Sequence, residues 1–165
     1  MIMNTEKKLL SKSAQTVQDA LARHGVTFTV VELAASTRTA KEAANTIGCE
    51  VAQIIKSLVF RTQISKRPIL VLVSGVNQVN EYIIEQIAEE KIIKAEPDFV
   101  KEITGFAIGG VPPVGHKQTL LTYIDEDLFK FDALWAAAGT PNAVFKLNTR
   151  DLIRMTEGTI ISVTK

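Results

Sequence analysis

The chain reads as a mixed α/β domain (α+β), a mixed β-sheet packed with helices, and three observations predict it. Two runs rich in β-branched residues, Ile54-Ile55-Lys56-Ser57-Leu58-Val59-Phe60 and Ile69-Leu70-Val71-Leu72-Val73, are joined by a short polar connection, the pattern of a hairpin. Capped amphipathic segments alternate with strands, yet hairpins recur too often for a purely parallel sheet. No repeat, low-complexity tract or long linker interrupts the 165 residues, which suffice for one domain with a real core.

Residues 1–12 read as a polar N-terminal segment and 13–165 as the domain. Ser13 can cap a helix with Val17, Ala20 and Leu21 as its apolar stripe and Gly25 past its end. Thr27 to Leu33 alternates as a strand, with Phe28 and Val30 on one face. Thr39-Ala40-Lys41-Glu42 is a capping-box pattern opening a helix that Gly48 ends. A short turn at 51–53 precedes the first of the two apolar strands. Pro68 starts the second, whose nearly unbroken apolar run predicts a central position covered on both faces. Helices are predicted over 80–88 and, with Pro97 in its first turn, over 97–103. A Gly/Pro loop leads to a strand over 120–124, a short helix over 126–129, and a helix over 131–138 that Gly139 stops. Strands over 143–147 and 159–163 flank a helix capped by Asn148 or Thr149.

Composition narrows the function classes. A net charge of +1 gives no broad attraction to nucleic acid, so any RNA would be met through a local patch or a terminus. The single cysteine, Cys49, excludes an intrachain disulfide and is consistent with cytoplasm. No apolar run reaches membrane-spanning length and the N-terminus is too polar for a signal peptide, so a soluble cytoplasmic protein is expected. Nucleotide-binding glycine motifs and the Gly-x-Ser-x-Gly elbow are absent. With two histidines and one cysteine far apart, neither a metal nor a cofactor is expected. His24 suits a helix C-terminus, Asp125-Glu126-Asp127 suits a helix start, and Phe131, Leu134 and Trp135 read as core. Lys66, Arg67, Lys117, Lys146, Arg150 and Arg154 read as scattered solvated charge.

Two segments stand out. Alternation puts Lys56 on the face of Ile54, Leu58 and Phe60, where a cation lowers its pKa or finds a partner. An edge-strand lysine that blunts aggregation would show the same local pattern. The loop Gly109-Gly110-Val111-Pro112-Pro113-Val114-Gly115-His116 combines glycines that allow close backbone approach with prolines that stiffen the path. Its backbone N–H groups could receive an ester carbonyl or a ribose oxygen, and a rigid turn is the plainer alternative.

Together these segments, with Thr104-Gly105-Phe106-Ala107-Ile108 before the loop, Tyr123-Ile124-Asp125-Glu126-Asp127-Leu128, and Ala138-Gly139-Thr140-Pro141-Asn142-Ala143-Val144-Phe145-Lys146-Leu147, resemble the YbaK/prolyl-tRNA-synthetase-associated editing family. The resemblance spans about residues 13–163. It implies a free-standing, trans-acting deacylase that hydrolyses the ester of mischarged tRNA, with the 3′-terminal aminoacyl-adenosine as ligand. tRNA(Pro) bearing a small amino acid is the expected substrate, and prolyl-tRNA synthetase is a candidate partner. By the same resemblance Lys56 is the essential lysine, and Ser57 stands where relatives often carry serine or threonine. Gly109 to Pro113 is the Gly-x-x-x-Pro loop that positions the ester. Cysteine editors carry an acidic residue in a late strand where this chain has Val144, which points away from cysteinyl-tRNA.

An aminoacyl ester is already activated, so the expected catalysis is modest: amides of Gly109 and Gly110 as oxyanion donors, each worth about 10²–10³ in rate when aimed, and Lys56 fixing the terminal ribose or phosphate. Phe28, Ser57, Phe60, Ile108, Val111, Pro112, Pro113 and His116 are the expected substrate-binding residues. Two alternatives stay open at this level: a binding module for tRNA ends or nucleotides without turnover, and a Schiff-base enzyme using a desolvated Lys56. The sequence leaves the amino acid (alanine, serine, threonine or cysteine) and the oligomeric state open.

Overall fold

A computed structural model describes residues 9–165. Its centre is β3 (Pro68–Ser74), where Leu70 and Leu72 are fully buried on one face and Ile69, Val71 and Val73 on the other. A strand apolar on both sides is stable only under cover on both faces, and it gets that cover. β3 pairs antiparallel with β2 (Ile54–Thr62) from Ile55↔Ser74 to Arg61↔Pro68, the expected hairpin. On its other edge β3 pairs parallel with β5 (Leu121–Asp125), and β5 pairs parallel with β8 (Thr159–Ile161). Beyond β2 lie β6 (Ala133–Ala137), β7 (Ala143–Asn148) and the short β1 (Val31–Glu32), giving the order β1-β7-β6-β2-β3-β5-β8. β4 (Ile92–Lys94) adds to the far end of β2.

Helices close both faces. α1 (Lys12–Arg23), α4 (Pro97–Thr104) and α5 (Thr149–Thr156) send Val17, Leu21, Val100 and Leu152 into the larger core with Ile55, Val59, Phe145 and Leu147. On the opposite face α3 (Glu81–Ala88) packs Ile84 and Ala88 against Phe60, Val71 and Val73. α2 (Ala40–Ile47) packs Ala43 and Ala44 against Ile54. No helix among the described residues is long and apolar enough to cross a membrane.

Most expected elements are present, and the departures have local causes. Residues 131–138 form not a helix but β6, because Leu134, Ala136 and Ala138 are buried at a spacing of two. Pairing with β7 along its length, and briefly with β2, outweighs the helical propensity of its alanines. The strand expected over 27–33 shrinks to Val31–Glu32 because Gln18 takes its backbone groups instead. Gln18 Oε1 accepts from Val30 N at 2.8 Å, and its Nε2 donates to the Phe28 carbonyl at 3.3 Å. Ser11 rather than Ser13 caps α1, accepting from Ala14 N, so the helix opens inside the segment read as a polar end. Residues 1–8 of that segment lie outside the described residues. β4 is an element the sequence pattern did not suggest.

Candidate active site

β2 is where the sheet parts. Its pairing with β6 is limited to Ile54↔Trp135 and Ile55↔Ala136, and β4 joins only at Phe60. Between those ladders the edge of Lys56–Leu58 has no neighbouring strand among the described residues and faces a cavity of about 390 Å³. Five consecutive residues, Ile54, Ile55, Lys56, Ser57 and Leu58, line it, as an open strand edge permits. Ile47, Trp135, Ala136 and Val144 complete a mostly apolar wall, and Arg38, Ile108 and Gly109 stand at its rim.

Along β2, Lys56 lies between Ile54, packed with α2, and Phe60, packed with α3. Nζ donates to the Asn77 carbonyl at 2.5 Å. That carbonyl is held by a turn whose own anchor is Asp125, 1% exposed. Asp125 Oδ2 accepts from Ser74 N at 3.0 Å and from Asn77 Nδ2 at 2.8 Å, and Oδ1 accepts from Asp127 N at 2.9 Å. Asn77 Nδ2 also donates to Asp127 at 2.8 Å. The carboxylates thus cap a 3₁₀ turn, as expected, and also fix the acceptor of Lys56. Burial lowers the Lys56 pKa from the ordinary lysine value; the charge of Asp125 raises it in part, and the like charge of Lys94 lowers it further. Ser57 Oγ is buried with no hydrogen-bond partner among the described residues, an unspent polar group in the cavity wall.

The glycine turn sits over the opening. Gly109 has φ +94, a conformation that L side chains rarely adopt, in a turn closed by Gly110 N to the Ala107 carbonyl at 3.1 Å. That bond spends the Gly110 amide, so of the two expected oxyanion donors Gly109 N–H alone has no backbone acceptor among the described residues. Gly110 is a glycine for another reason: a Cβ there would lie 2.8 Å from Gly139 C and Thr140 N.

Of the residues expected at the site, Lys56, Ser57, Ile108, Gly109 and Val111 line the cavity. Phe60 does not: it is 1% exposed in the core under α3. Phe28 packs on the larger core. Pro113 and His116 line a separate polar cavity, and His116 Nε2 bonds the Pro112 carbonyl at 2.7 Å, stiffening the loop. Burial lowers the His116 pKa, which the Pro112 bond opposes. Sequence reading missed Arg38 and the wall residues Ile47 and Trp135. The strand period of 133–137 was the available signal for Trp135; Arg38 had none.

Fold and cavity together define a single α/β domain with a lysine set in a parted mixed sheet under a glycine turn. The chain belongs to the aminoacyl-tRNA editing domain family, whose model matches residues 34–155. A solved structure described as a provisional trans-editing enzyme for prolyl-tRNA synthetase is 46% identical, with TM-score 0.89 over 95% of this chain and 99% of that one. An uncharacterized Bacillus subtilis protein, YwhH, is 32% identical over 74% of this chain and 78% of its own length. Enterococcus faecalis EbsC, provisionally named a Cys-tRNA(Pro)/Cys-tRNA(Cys) deacylase, is 26% identical over 76% of each chain. These matches agree with the family that the lysine strand and the glycine loop suggest.

Proposed function

We propose that this protein is a trans-acting deacylase that hydrolyses the ester of mischarged tRNA, with tRNA(Pro) carrying a small amino acid as substrate. One observation carries the reading: Lys56 and Gly109, whose amide has no acceptor among the described residues, line one cavity whose wall is mostly apolar. Water adds to the ester carbonyl, the oxygen that gains charge takes the Gly109 N–H, and collapse breaks the acyl–oxygen bond. The departing ribose oxygen is protonated, releasing free amino acid and tRNA. Lys56, aimed by the Asn77 carbonyl, holds the ribose end of the ester as a cation. Its bond to the Asn77 carbonyl already uses it as a hydrogen-bond donor, and Asp125 opposes the lowering that burial causes, which favours this role over the free amine a Schiff base needs.

Selection is steric. Trp135, Ala136 and Val144 bound the space for the side chain. Apolar fit separates substrates by only about 1–3 kcal/mol per methylene, so protection of the cognate ester rests on size exclusion. With Val144 at 3% exposure in the wall, the site offers no carboxylate there for a thiol or amine. The test is deacylation of Ala-, Ser-, Thr- and Cys-tRNA, each on prolyl and cognate tRNA, by the wild type and Lys56→Ala. Lysine-dependent hydrolysis of one or two esters is expected. No hydrolysis across the panel, with the folded protein still binding a tRNA 3′ end, would replace the deacylase with a binding module.

A further inference from the structure

Arg38 stands apart from the other cations near the cavity. It lines the rim with Lys56 and Gly109, and its backbone is anchored firmly. The preceding residue, Thr37, is 7% exposed. Its N and Oγ1 both donate to the Pro141 carbonyl, at 2.5 and 2.8 Å. The loop that supplies this carbonyl is itself tied to the glycine turn, with Gly139 N donating to the Gly110 carbonyl at 2.8 Å, and to Leu33 through Asn142 Nδ2 at 2.9 Å. Three segments distant in sequence are thus locked together, and Arg38 projects from the junction.

Its side chain lies along the glycine turn. A Cβ added at Gly109 would come within 3.1 Å of Arg38 Cγ and 3.6 Å of Nε, so the glycine leaves room for the arginine stem. The guanidinium has no carboxylate within salt-bridge distance and no hydrogen-bond acceptor among the described residues. Arg23 and Arg150 are likewise without an acceptor among the described residues, but of the described arginines only Arg38 lines this cavity; Arg61 pairs with Glu96, Arg67 donates to the Ala88 carbonyl, and Arg154 pairs with Asp151. An arginine whose stem is seated and whose head is unspent, above an apolar cavity, is placed to take an anion that stays outside while an uncharged group enters.

We propose that Arg38 forms a phosphate subsite of this cavity, binding the phosphodiester that joins the terminal adenosine to the preceding nucleotide. This rests on the deacylase reading and extends it. Gly109 then serves both halves of the ligand: its amide faces the ester, and its bare Cα carries the arginine that grips the phosphate. Arg38 contributes to binding of the nucleic acid rather than to breaking the ester.

The experiment compares two substrates bearing the same amino acid: an aminoacyl-tRNA from the panel above, and the corresponding 3′-O-aminoacyl-adenosine, which has no phosphate. For Arg38→Gln, KM on the tRNA is expected to rise about tenfold with kcat within about twofold. The dependence of log(kcat/KM) on log salt should flatten by about 0.7–0.9, the loss of one phosphate contact. On aminoacyl-adenosine the variant should match the wild type, and Arg38→Lys should recover part of the tRNA loss. Equal losses on both substrates would make Arg38 part of the pocket's shape and overturn the phosphate assignment, as would an unchanged KM on tRNA. A wild type that hydrolyses neither substrate overturns the deacylase reading and the subsite with it. Only the variant's behaviour, against an active wild type, bears on Arg38 alone.

Discussion

The two ends of β2 are built from similar residues and do opposite work. At Phe60 and Arg61 the strand is paired on both edges, by β3 and β4, and Thr62 N donates to the Arg67 carbonyl in the hairpin connection. Phe60 is sealed under α3. Arg61 closes that end with two bonds to Glu96, at 2.7 and 3.0 Å, tying the strand to the start of α4. From Lys56 to Leu58 one edge has no partner strand among the described residues, the strand lines a cavity, and Lys56 bonds a turn. A strand can supply reactive groups where its ladder stops, because only there are its edge and side chains reachable. It can hold that geometry because the ladder resumes within a few residues. Stability and chemistry are separated along one strand.

The largest expected effect is at the closed end. Phe60→Ala should cost about 3–5 kcal/mol of stability through the cavity it leaves, read as a fall in Tm or in the denaturation midpoint. A loss under about 1 kcal/mol would show that the closed end is not what holds β2 in place. Lys56→Ala is the converse. It should lower kcat/KM by about a hundredfold or more, about 2.7 kcal/mol of transition-state binding, with Tm nearly unchanged. Should its Tm fall as far as that of Phe60→Ala, the open end would be structural after all.

Gly109→Ala comes next. Its φ of +94 and the Arg38 stem 3.1 Å away both oppose a side chain, so kcat/KM should fall about tenfold while the core melts as before. Full activity in that variant would remove the Gly109 amide from the mechanism. A smaller effect should be visible by NMR titration of lysines labelled at the ε-carbon. Lys56 should titrate below the ordinary lysine value, chiefly because its charged form is desolvated. Lys94→Gln removes a like charge and should shift that titration upward; Asp125→Asn removes an opposite charge and should shift it downward. Shifts of the reverse sign would mean that these groups do not face Lys56.

The smallest effect belongs to the Arg61–Glu96 clamp. Arg61 hydrogen bonding holds the Glu96 carboxyl at about 2, below its usual 4.5. A depressed folded-state value adds stability above the unfolded pKa and loses it as pH falls from there through about 2. Glu96 is half exposed, so the gain is small. Glu96→Gln should lower Tm slightly at pH 7, converge with the wild type near pH 2, and leave deacylation unchanged.

Much of this was legible in residue patterns. The β2–β3 hairpin follows from two apolar runs and a polar connection, and the burial of β3 on both faces from its unbroken apolar sequence. Lys56 is conspicuous because alternation sets it among Ile54, Leu58 and Phe60. The glycine turn is conspicuous because two glycines free the backbone just before two prolines fix it. Phe28 and Phe60 illustrate the limit: their positions fitted a pocket, but Phe60 shares a face with Lys56 and still lies under a different helix. Alternation assigns a face, and only packing decides what covers it. Residues 131–138 failed for the related reason that their alanines suit a helix in isolation, while strand partners far along the chain set the outcome.

What the sequence by itself determined is therefore local: which segments are apolar, where the backbone must turn left-handed, and which lysine sits in an apolar strand. These depend on neighbours a few residues away. The tertiary structure alone decided that β2 and β6 part after two residue pairs, that Phe60 lies under α3, and that Arg38 rests on Gly109. Each of these sets the chain's use of one group against a competitor, and the last brings together residues some seventy positions apart. Such choices are settled by the free energy of the whole packed sheet rather than by the residues that display them.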